Sequence, residues 1–155
     1  MRMLCSFMET SIESLWKAEK CPIVNGIIYP NGSVKLLNPK YVDGFKRIPE
    51  YSGITTIKKL SETREVDFTY LIECECINVD VMNLKIYCGG AGLGGDGFVA
   101  VSHDDELMWI AFFEYSNPMI KVEWKHSKVI AYSNVGDKWI FDVHNPEFVK
   151  VQTKI

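Results

Sequence analysis

The stretch Arg64–Ile77, REVDFTYLIECECI, decides the fold class. Successive side chains of an extended chain point to opposite faces. Extending this segment therefore puts Val66, Phe68, Tyr70, Ile72, Cys74 and Cys76 on one side and Glu65, Asp67, Thr69, Leu71, Glu73 and Glu75 on the other. Strict alternation over this length reads as a strand with one apolar face expected to be buried and one acidic face expected in solvent. A strand so long is expected to bend or to carry a bulge. Its partner is expected at Leu84–Cys88, across a turn over residues 78–83.

Downstream of that hairpin the period-2 pattern continues. Candidate strands fall at Phe98–Val101, Leu107–Phe113, Ile120–Trp124, Val129–Tyr132 and Trp139–Val143, separated by Asp104-Asp105, Asn117-Pro118, His126-Ser127 and Gly136-Asp137. Short strands at such regular spacing indicate a sandwich, a barrel or a strongly curved antiparallel sheet. Leu107–Phe113 is apolar on both faces and is expected to be central and covered on both sides. Trp109, Trp124 and Trp139 recur every fifteen residues, but the chain is too short for a propeller, so they read as core fillers on hairpins of similar length.

Upstream, Ile27–Tyr29 and Val34–Leu37 flank the turn Pro30-Asn31-Gly32 and predict a hairpin. Asn38–Gly53, with Pro39, Gly44 and Pro49, reads as irregular. One helix is predicted over 6–19, because Ser6 and Glu9 form a capping-box pattern and Met8, Ile12, Leu15 and Trp16 recur at helical spacing. Pro22 forbids its continuation, and everything beyond reads as strands and turns. The expectation is a mainly β protein, an antiparallel sandwich or strongly curved sheet or barrel with one N-terminal helix. It would form a single domain, 1–155, β-rich from about residue 22.

Composition bounds the function. A 47% hydrophobic and 24% charged content is enough to build a core, and the formal net charge of −3 argues against direct nucleic-acid binding. No apolar run approaches a membrane span, and the first eight residues contain no signal-peptide core. Five cysteines, an odd number at irregular spacing, argue against a disulfide framework and for a reducing, cytoplasmic setting.

Candidate chemistry is sparse. Gly90-Ala91-Gly92-Leu93-Gly94-Gly95 satisfies a dinucleotide pattern, but the following Asp96–Val101 reads as a strand rather than the helix whose amides would meet a pyrophosphate. The segment is therefore expected to be a turn. Cys74 and Cys76 have a spacing compatible with metal ligation, yet share a face with Phe68, Tyr70 and Ile72, so they and Cys88 are expected to be buried thiols. His103, His126 and His144 form no ligand motif, and no serine or cysteine sits in a nucleophile elbow. No catalytic, cofactor or metal residue is assigned. Asp104-Asp105-Glu106 forms a compact acidic turn that could coordinate a cation or meet a basic partner. The acidic strand face carries Glu65, Asp67, Glu73 and Glu75 around Leu71, as an interface core inside a charged rim would. These eight residues are the candidate partner-binding set.

The segment Gly95-Asp96-Gly97-Phe98-Val99-Ala100-Val101, then Leu107–Phe113, then Ser116-Asn117-Pro118-Met119, resembles immunity proteins of bacterial polymorphic-toxin and contact-dependent growth-inhibition systems. The resemblance covers roughly residues 94–143. It implies a small non-catalytic cytoplasmic inhibitor that binds a cognate toxin domain and blocks its active site or substrate surface. Such toxins are commonly nucleases with basic clefts, which an acidic surface would complement. A small-molecule-binding barrel or sandwich and a small hydrolase with convergent loop residues are the alternatives.

Overall fold

The apolar run at 107–113 is the central strand of the structure. A computed structural model describes residues 11–42, 46–92 and 94–154, with the side chain of Lys46 not described. In chain order its elements are α1 (Ile12–Lys17), β1 (Lys20–Pro22), β2 (Gly26–Ile28), β3 (Ser33–Val42), β4 (Lys46–Thr56), α2 (Ile57–Thr63), β5 (Phe68–Val79) and β6 (Leu84–Ala91). These are followed by β7 (Gly97–His103), β8 (Glu106–Phe113), β9 (Met119–Lys125), β10 (Lys128–Ser133), β11 (Lys138–Asp142) and β12 (Lys150–Gln152). Eight strands form a curled antiparallel sheet in the order β1-β5-β6-β7-β8-β2-β3-β4, and four form a second sheet, β12-β11-β10-β9.

Both faces of β8 are covered because both are apolar. Trp109, Ala111 and Phe113 join Val129, Ala131, Trp139 and Phe141 in a core between the two sheets. Ile110 and Phe112 face the other way, toward Ile12 and Leu15 of α1 and Ile57 of α2. Packed aromatics fill the inter-sheet core: the Phe113 ring lies 4.7 Å from that of Trp139, and Trp109 lies 5.6 Å from Phe141. Large aromatics contribute much of the apolar area such a core removes from water. Polar ties also cross between the elements. Trp109 Nε1 donates to the Val143 carbonyl at 2.8 Å, and Lys35 Nζ of β3 lies 3.0 Å from Glu147 Oε2 in the 3-10 turn Pro146–Phe148.

The mainly β class and the five downstream strands are as expected, as is the hairpin around Pro30-Asn31-Gly32. Other expectations need correcting. Residues 38–53 are not irregular where described: β3 and β4 form a long ribbon in which Pro39 opposes Pro49, with a register shift between Leu36 and Leu37. Among the described residues no strand other than β4 pairs with β3 beyond Leu36, since β2 covers only residues 34–36. A second helix, α2, exists, started by the Thr56 side chain, which accepts from the Lys59 amide at 3.0 Å. The described N-terminal helix spans Ile12–Lys17 with Ser11, in extended conformation, as its cap; Ser6, Met8 and Glu9, on which the predicted capping box rested, lie outside the described residues. No helix among the described residues is long and apolar enough to cross a membrane.

The largest correction concerns the deciding strand itself. Tyr70 and Ile72, predicted to be buried, are 62% and 57% exposed, whereas Leu71, predicted on the solvent face, is 8% exposed and packs beneath α1. Val66 is buried and Glu65 and Asp67 are exposed as predicted, but from Phe68 to Ile72 the covered face is the opposite one. A bulge then interrupts β5 between Glu73 and Glu75. Past it, Ile77 and Val79 turn to the inter-sheet core. Gly89 of β6 permits this close approach: a Cβ there would lie 1.9 Å from the Ile72 carbonyl oxygen and 2.8 Å from the Phe98 ring.

Candidate functional site

The eight predicted partner-binding residues do not form one surface. Glu65 and Asp67 are exposed just before β5. Asp104, Asp105 and Glu106 are exposed at the β7–β8 turn, beside the Asp80–Met82 turn and therefore near the opposite end of β5, because His103 pairs with Leu84. Between them the bulge separates Glu73 from Glu75. Glu75 is half-buried and accepts a hydrogen bond from the Val122 amide at 2.8 Å, closing part of the free edge of β9. Leu71 belongs to the core and offers no exposed apolar centre, which corrects its predicted role.

Leu71 and Glu73 are nevertheless brought together, in the wall of a shallow pocket of about 160 Å³ that Trp16, Glu19 and Phe98 complete. Its construction is local. After α1 the chain turns sharply at Glu19, whose φ of 60° is left-handed, an uncommon conformation for a non-glycine residue. That turn lets the Glu19 carbonyl accept the Leu71 amide at 2.7 Å, fixing the end of α1 over β5. Trp16 is held edge-on against Tyr87, with ring centroids 4.9 Å apart, and against Phe98 at 6.3 Å. The lining thus combines an indole and a benzyl ring with two exposed carboxylates and no basic side chain. Carboxylates beside an aromatic wall suit a guanidinium or ammonium group, which gains charge pairing and a ring face together. Sequence reading missed Trp16 and Glu19 because they lie about fifty residues from Glu73. The spacing of Trp16 with Ile12 marks a helix face and carries no sign of what that face meets.

Other chemistry is limited. The cysteines described are free thiols: Cys21 and Cys88 are buried, Cys76 is half-buried and Cys74 is exposed, which corrects the expectation for Cys74. Burial, with nearby Cys74 and Glu75 adding, pushes the Cys88 thiol up to about 12, so it stays protonated and unreactive. The glycine-rich segment is a turn only in part, because Gly90 and Ala91 end β6 and Gly90 pairs with Gly97; Gly92, Gly94 and Gly95 lie in the connection, Leu93 lies outside the described residues, and β7 follows as the strand reading required. Among the described residues no three His, Cys, Asp or Glu side chains gather to hold a metal ion. No family model, curated protein or solved structure matches the chain.

Proposed function

We propose that this protein is a non-catalytic inhibitor that binds a basic protein partner, with a lysine or arginine of that partner seated in the Trp16–Glu19–Glu73 pocket. The observation that carries this reading is the pairing of two exposed carboxylates with the Trp16 and Phe98 rings in one concavity. At about 160 Å³ the pocket is below the roughly 300–1,000 Å³ that encloses small organic ligands, so a side chain presented by a partner fits better than a free metabolite. Glu65 and Asp67 extend the negative charge along the same end of the sheet and would steer a basic partner inward. The resemblance to toxin-immunity proteins supplies the identity we favour for that partner: the toxic domain of a cognate bacterial effector, encoded beside this gene.

The test is co-expression with the neighbouring toxin domain, comparing growth and binding of the wild type with Glu19→Lys/Glu73→Lys at matched protein levels. The double reversal is expected to slow association and to abolish protection while the β-rich circular dichroism spectrum is unchanged, because both side chains are exposed. Full protection by the reversed variant removes the pocket from the interface. Failure of the wild type to bind any neighbouring gene product removes the inhibitor reading.

A further inference from the structure

A second concavity lies at the other end of the sheet, and its lining is chemically unusual. Met82, Leu84, His103, Met108, Val143 and His144 enclose about 140 Å³. The whole chain holds three histidines and six methionines, so six lining residues drawn at random would include fewer than one of them. This lining has four. They arrive from four separate places: the turn after β5, the end of β7, β8, and the loop after β11. Met108 reaches the site through a local irregularity. The β7–β8 register steps from Val101–Trp109 to Ser102–Leu107, leaving Met108 as the extra residue with no cross-strand partner. Leu84 and Val143 are buried and make an apolar floor.

We propose that this pocket binds a soft monovalent metal ion of the copper(I) class through the two thioethers and two imidazoles. Thioether sulfur and neutral imidazole nitrogen suit such an ion, whereas structural zinc sites are built from thiolate, imidazole and carboxylate, of which this lining offers only the two imidazoles. The surroundings support a cation. His103 Nδ1 lies 3.4 Å from Asp104 Oδ2, and Asn83 Nδ2 donates to the other oxygen of the same carboxylate. That carboxylate places negative charge beside the imidazole, which favours a bound cation. Asp105 and Glu106 add negative charge on the same turn. The acidic turn, which the sequence left between a cation and a basic partner, therefore acts here as the outer support of a cation site.

Silver(I) is the probe, since it shares these ligand preferences without redox chemistry. It is titrated into the full chain carrying Cys5→Ser, Cys74→Ser and Cys76→Ser, so that these thiols do not compete. The methionine methyl carbons and imidazole nitrogens are followed by NMR. One equivalent is expected to shift Met82, Met108, His103 and His144 together, leaving the other methionines and His126 unmoved. Met82→Leu/Met108→Leu preserves apolar bulk and is expected to weaken binding by at least about tenfold with an unchanged fold. Shifts at other methionines, absence of shifts at these four, unchanged affinity in the double variant, or equally tight zinc(II) binding would each overturn the proposal.

Discussion

β8 and β5 are both long strands of the same sheet, and they teach different things about burial. β8 is apolar on both faces and is buried on both, between α1 and α2 on one side and the second sheet on the other. β5 alternates cleanly, yet over its first half the apolar face carrying Tyr70 and Ile72 is left exposed while the face carrying Leu71 is covered. Alternation establishes that a strand has two unlike faces. Which face is covered depends on where the neighbouring layers end. The inter-sheet core takes Ile77 and Val79 from β5 but neither Tyr70 nor Ile72, and α1 instead packs over Leu71.

The contrast predicts unequal costs. Phe113→Ala, at a fully buried ring packed on Trp139 and Phe141, is expected to lower unfolding stability by about 3–5 kcal/mol in denaturant titration. Glu75→Ala tests the junction between the regions, because it leaves the Val122 amide without its carboxylate; a loss of about 1.5 kcal/mol is expected, with Glu75→Gln retaining much of it.

Asp96 stands where the regions meet, near Cys21 of β1 and Glu114 after β8. Burial, with Glu114 adding, raises its carboxyl from 3.8 to about 6. The folded protein therefore takes up this proton before the unfolded chain does, and the group's contribution to stability falls as pH rises from about 4 through 6. Asp96→Asn is expected to stabilise by about 1 kcal/mol at pH 7, after discounting for solvent screening of a half-exposed group, and to lose that advantage by about pH 4. Denaturation midpoints at the two pH values check the sign. The smallest effect is expected at Tyr70→Ala, under about 1 kcal/mol, since Tyr70 keeps mainly its contact with Lys20, whose Nζ lies 4.9 Å from the ring centroid. A cost matching that of Phe113→Ala would break the comparison.

Much of the fold was legible where local chemistry and global packing agree. Pro30-Asn31-Gly32 dictates its hairpin, and the unbroken apolar run at 107–113 announces a strand covered on both sides. The β3–β4 ribbon was hidden because Pro39, Pro49 and Gly53 interrupt every window in which alternation is sought. α2 was hidden because its seven residues offer only Ile57 and Leu60 as a periodic pair. Of the site, Glu73 was legible as an exposed charge. The bulge that parts it from Glu75, and the left-handed turn at Glu19 that completes the pocket, depend on backbone geometry that side-chain identity does not report.

The ribbon formed by β3 and β4 has one further consequence. Opposed residues in an antiparallel pair either exchange hydrogen bonds or direct their backbone groups outward. Neither Pro39 nor Pro49 has an N–H to exchange, so this pair must be of the outward type, and each edge of the ribbon lacks a donor at the same rung. An incoming strand, whether from a second copy or from a nascent chain nearby, would find its ladder broken there on either side. The two prolines thus act as solubility guards, letting a long two-stranded arm extend past the sheet without inviting edge-to-edge aggregation.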